Sequence, residues 1–127
     1  MLQVGLFRDF KFKGINSLLL WGDTEGLAHL QSAIATLSRL SGSSFQISGS
    51  DAKLSIVITD ASDQFSELSK SEHGWEWVCS RATLDEVAVL IEGLENSSDG
   101  HQYIDVKGLA EEVIISKNEY PPSLRPK

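Results

Sequence analysis

Apolar positions along this chain recur at two spacings, and the changes between them mark out its elements. In "SLLLW" (Ser17–Trp21) apolar residues run together and stop at Gly22, as in a short buried strand. Leu27, Leu30, Ile34, Leu37 and Leu40 then follow at helical spacing, with Ala33 on the same flank. Asp23 or Thr24 fits the N-cap of this helix, Glu25 sits in its first turn, and "SGSS" (Ser41–Ser44) ends it. "FQIS" alternates Phe45 and Ile47, and "KLSIVIT" alternates Leu54, Ile56 and Ile58. The "SGSDA" between them is turn chemistry, so the pair predicts a hairpin.

The same order returns further along. "WEWVCS" (Trp75–Ser80) predicts a strand. Thr83 and Glu86 form a capping box, with Ala82 and Val87 as a hydrophobic staple, and Leu84, Val87, Ala88, Ile91 and Leu94 give one apolar helix face. "ENSSDG" closes that helix, "HQYIDV" predicts a strand, "KGLAE" a turn and "EVIIS" (Glu112–Ser116) a last strand. Leu27, Leu30 and Ile34 match Val87, Leu90 and Leu94 at an offset of 60, while Leu54 and Ile56 match Val113 and Ile115 at 59. The pattern predicts a βαββ internal duplication, with repeats near 17–59 and 75–116. "LQVGLFRDFKF" adds one or two strands before it. "DASDQFSELSKSEHG" predicts a linker with a helical turn around Phe65 and Leu68, and the segment 117–127, which holds all three prolines, predicts an extended tail. The expected fold is a single α+β domain over 1–127, a two-layer sandwich with an antiparallel-rich sheet and two helices on one face.

Composition narrows the classes. With 127 residues, 41% hydrophobic and 23% charged, the chain is long enough for one real core and is not of a disordered type. No apolar run approaches the roughly 20 residues of a membrane span. The N-terminal segment has no signal-peptide pattern and Cys79 has no partner cysteine, so a reducing, cytoplasmic setting is expected. The net charge of −7 is uneven: residues 1–50 carry four basic and three acidic side chains, residues 51–127 seven and fifteen. That balance disfavours nucleic acid or an anionic membrane as partner and permits a basic protein.

Candidate chemistry is sparse. On a strand, His101, Tyr103 and Asp105 share a face, where a histidine and a carboxylate could serve acid–base or metal chemistry in a small enzyme or ligand-binding domain. They lack a nucleophile or third ligand at recognisable spacing, and a polar row is also what the wet face of a half-buried sheet shows. His29 in the first helix and His73 before Gly74 suit surface positions, and Cys79 within "WVC" suits a buried thiol. The glycines form no phosphate-binding loop, and no zinc or nucleophile-elbow motif occurs, so neither metal nor cofactor is expected. Trp75 and Trp77 share a strand face, as core volume or as binding anchors.

"GDTEGLAHLQSAI" (Gly22–Ile34) and "GHQYIDVKGLAEEVIISKNEYPP" (Gly100–Pro122) resemble the opening and closing segments of small bacterial immunity proteins of polymorphic toxin systems. The resemblance implies a non-enzymatic cytoplasmic protein that neutralises a toxin by binding it, with no catalytic residue to carry over. The doubled architecture and the linker depart from that pattern. Asp60, Asp63, Glu67, Glu72 and Glu76, against Lys70 alone, run into Trp75 and Trp77. Such carboxylates beside aromatics would steer and anchor a basic toxin domain, and these seven residues are the expected partner-binding surface.

Overall fold

The computed structural model describes residues 2–7, 15–37, 44–48, 53–60, 65–72 and 74–118. Nine strands and two helices occupy them: β1 (Leu2–Phe7), β2 (Ser17–Gly22), α1 (Thr24–Leu37), β3 (Ser44–Ser48), β4 (Lys53–Thr59), β5 (Ser66–Ser71), β6 (Gly74–Ser80), α2 (Arg81–Glu95), β7 (Gly100–Asp105), β8 (Lys107–Gly108) and β9 (Glu112–Lys117). The fold is α+β, as the pattern predicts. None of the described helices is long and apolar enough to cross a membrane.

The strands form two mixed sheets rather than one antiparallel-rich sheet. One has the order β1-β2-β9-β7 and the other β3-β4-β6-β5-β8. In the first, β2 runs parallel to β9 and antiparallel to β1, and β7 runs antiparallel to β9. In the second, β6 runs parallel to β4 and antiparallel to β5, and β3 runs antiparallel to β4. The two four-strand arrangements β1-β2-β9-β7 and β5-β6-β4-β3 are therefore the same arrangement built twice. Each takes one antiparallel pair from the first half of the chain and one from the second.

The repeat is real in this sense, but its helix register differs from the expected one. Leu27, Leu30, Ile34 and Leu37, buried on α1, correspond to Leu84, Val87, Ile91 and Leu94, buried on α2, 57 residues later. Leu27 thus pairs with Leu84, not Val87. The caps agree with this register: Asp23 Oδ1 accepts from the Gly26 N–H at 2.8 Å and Ser80 Oγ from the Thr83 N–H at 3.3 Å. The N-cap of α2 is Ser80, not Thr83; Thr83 is buried in the first turn, where its hydroxyl donates to the Phe65 carbonyl. The strand match of Leu54 and Ile56 to Val113 and Ile115 stands, because these residues face Trp75 and Trp77 as Val113 and Ile115 face Leu18 and Leu20. By the same registers Leu2 and Val4 correspond to Ser66 and Leu68, and Ile47 to Ile104.

Two further segments depart from expectation. The supposed linker contains β5, and the supposed "KGLAE" turn contains β8, whose Lys107 and Gly108 pair parallel with Glu67 and Leu68. Gly108 is required there: its φ is +99°, and a Cβ would overlap the Leu68 carbonyl oxygen. One hydrophobic cluster joins the inner faces of both sheets to both helices. Leu19, Trp21 and Ile114 form a smaller one on the outer face of the first sheet.

Candidate functional site

The seven residues expected at a partner surface scatter. Trp77 is fully buried between Ile56 and Leu68, and its Nε1 donates to Ser66 Oγ at 2.8 Å. It is core volume and no binding anchor. Trp75 lies on the same inward face, half-buried against the core. Glu76 alternates to the other face, half-buried opposite Ser55 and Ser69. Asp60 and Glu72 are exposed at the ends of β4 and β5, and Glu67 is exposed on β5. Asp63 and His73, like residues 119–127 of the tail, lie outside the described residues.

The structure instead brings Glu67 to Asp105. Both line a cleft of about 350 Å³ together with Phe65, Val106, Lys107 and Glu111. Four backbone-anchored interactions build it. The Phe65 N–H donates to Ser80 Oγ at 3.0 Å, and its carbonyl accepts from the Ser80 N–H at 2.9 Å and from the Thr83 hydroxyl at 3.0 Å. With its backbone clamped to the start of α2, Phe65 remains 39% exposed. On the far wall, Glu111 Oε2 accepts from the Asn16 N–H at 2.7 Å, which holds that carboxylate in place. Three carboxylates and one lysine around an exposed ring make a net anionic, partly apolar recess. Exposed Tyr103 and Leu109 stand on β7 and just after β8.

His101, Tyr103 and Asp105 do share the outer face of edge strand β7, in register with Ser116, Ile114 and Glu112 of β9. The rings of His101 and Tyr103 meet edge to face at 5.1 Å. Asp105 belongs to the cleft. Among the described residues no three His, Cys, Asp or Glu side chains converge as a metal site would require. His29 is exposed on α1 against the Phe45 ring, and Cys79 is buried, where desolvation pushes its thiol pKa far up.

Phe65 and Glu111 were not candidates from sequence. Phe65 sits in a polar stretch whose only inward apolar residue is Leu68, so neither strand nor exposed ring is signalled by alternation. Comparison with protein-family models, with curated proteins and with solved structures finds no match to this chain.

Proposed function

We propose that this protein is a stoichiometric binding protein of the immunity type, which neutralises a basic toxin domain by occupying it. The observation that carries the reading is the cleft where Glu67, Asp105 and Glu111 surround the exposed ring of Phe65. Carboxylates of this kind steer a cationic partner, and an aromatic held by its backbone loses little entropy on being buried. The resemblance of Gly22–Ile34 and Gly100–Pro122 to immunity proteins points the same way, and such a protein would act in the cytoplasm of the cell that makes the toxin. The surface differs from the one read along residues 60–76: of that segment it keeps Glu67 and adds Phe65.

The test is charge reversal, measured against any toxin domain found encoded beside this protein's gene. Glu67→Lys with Asp105→Lys should slow association by roughly tenfold or more at low salt and flatten its salt dependence. Phe65→Ala should speed dissociation. Association and salt slope equal to the wild type would remove this cleft from the interface, and failure of any neighbouring toxin to bind would remove the immunity reading itself.

A further inference from the structure

The acidic cleft extends beyond the residues that carry the proposed interface. A smaller cavity of about 110 Å³ is bounded by Ser66, Thr83, Glu86, Ile104 and Asp105. Ser66 and Asp105 line the outer cleft as well, so the small cavity opens off it as an inner slot. Buried Ile104 gives the slot an apolar wall, and exposed Phe65 stands on its outer side. The polar groups around it are mostly acceptors. Glu86 brings a carboxylate from α2 and Asp105 another from β7. The Thr83 hydroxyl gives its proton to the Phe65 carbonyl at 3.0 Å and keeps only acceptor capacity, while Ser66 Oγ accepts from Trp77 Nε1 at 2.8 Å. Among the described residues no lysine or arginine bounds the slot; Lys107 lines only the outer cleft.

The repeat supplies an internal control. In its register Ser66, Thr83, Glu86, Ile104 and Asp105 correspond to Leu2, Gly26, His29, Ile47 and Ser48. None of these counterparts is a carboxylate. The shared scaffold therefore folds without an acid at either place, and the pair Glu86 and Asp105 is a departure of the second half that folding does not demand.

We infer that the slot is the receptor for one arginine side chain of the basic partner, its guanidinium held between Asp105 and Glu86 and its stem laid against the Phe65 ring. A guanidinium is all donor and no acceptor, which suits a slot walled by acceptors, and its planar fork meets carboxylates that arrive from two elements. It also packs on an aromatic face. A lysine ammonium, compact and strongly hydrated, gives up more water on entering and covers less of the ring. Glu67 and Glu111 in the outer cleft then steer the encounter, while Asp105 and Glu86 hold the anchor. The inference rests on the cleft being the partner surface proposed above, and it narrows the partner to one that presents an arginine on a protruding segment.

The experiment titrates three short peptides into the full-length protein, identical except for a central arginine, lysine or citrulline, and follows amide chemical shifts. Citrulline keeps the shape of arginine without its charge. The arginine peptide should bind more tightly than the lysine peptide by roughly fivefold or more, shifting amides of Ser66, Thr83, Glu86 and Asp105, and the citrulline peptide should not saturate. Asp105→Asn and Glu86→Gln, both at exposed positions, should each weaken the arginine peptide by roughly tenfold and shrink its lead over lysine. Glu92→Gln, exposed on α2 outside both cavities, should leave binding unaltered. The same variants are then measured against any toxin domain found encoded beside the gene. Arginine and lysine bound equally, shifts elsewhere, no saturation by any peptide up to roughly 20 mM, or toxin binding indifferent to both Asp105→Asn and Glu86→Gln overturns the inference and leaves the immunity reading standing. A slot that selects arginine while no neighbouring toxin binds upholds the inference and removes the immunity reading alone.

Discussion

Lys117 is only 4% exposed, an unusual place for an ammonium group, and its surroundings explain it. Its Nζ donates to the Glu95 carbonyl at 3.2 Å and the Ser97 carbonyl at 2.6 Å, so a residue of β9 satisfies orphan carbonyls at the end of α2. Lys117→Met keeps the apolar stem and removes the donors. It should lower stability by about 1–3 kcal/mol, read from the urea midpoint, whereas a merely solvated lysine would give under about 0.5 kcal/mol. Cys79 offers a second check on the core. Its thiol is buried and its pKa pushed up by desolvation, so in the folded protein near pH 8 it should stay unmodified by a thiol reagent and react fully once guanidinium unfolds the chain. Rapid labelling in native buffer would contradict the packing around β6. The burial of Cys79 is legible in "WVC", but that of Lys117 is not: "EVIISK" presents its lysine as the wet end of a strand, and only the return of α2 over that end encloses it.

Elements were legible where one residue type repeats along a face. The apolar faces of α1 and α2 stand out for that reason, and Ile34 and Ile91 occupy matching buried positions on them. Ile34→Ala and Ile91→Ala should each cost roughly 2–4 kcal/mol through the cavities they leave, measured by chemical denaturation. What escaped the pattern depends on partners distant in sequence. Strand β5 shows one inward apolar residue, Leu68, and β8 has two residues and exists only because it meets β5. The cap of α2 was misread because Thr83-Leu84-Asp85-Glu86 fits a capping box locally, while Ser80 Oγ takes the role and also accepts from the Phe65 N–H. Ser80→Ala therefore removes a cap and one of the three hydrogen bonds that hold the Phe65 backbone. It should cost about 1–2 kcal/mol and, on the proposed interface, weaken partner binding as well, since Phe65 would be held by its carbonyl alone. A stability loss with unchanged binding would separate the Ser80 hydroxyl from recognition.

At the scale of the whole molecule, the parallel junctions β2–β9 and β4–β6 decide how the chain holds together. Each joins a strand from the first half to one from the second, so neither half contains a complete sheet. This crossing explains why sequence showed two similar units and not their interlock: periodicity reports which face of a strand is buried, and is silent on which strand lies beside it. It explains the acidic cleft too, since Glu67 and Asp105 meet only because β8 carries the segment after β7 onto β5. The interlock makes a physical prediction. Cut between Asp60 and Phe65, the first half keeps the hairpins β1–β2 and β3–β4 with α1, and the second keeps β5–β6 and β7–β9 with α2. Two-stranded ribbons are marginal alone, and the separated halves expose Leu18 and Leu20 on one side and Val113 and Ile115 on the other. Each fragment should lack a cooperative unfolding transition by circular dichroism, and an equimolar mixture should recover the transition together with a one-to-one complex by light scattering. A fragment that unfolds cooperatively on its own would mean that a single βαββ unit suffices, and that the shared sheets are an accessory to the fold and not its basis.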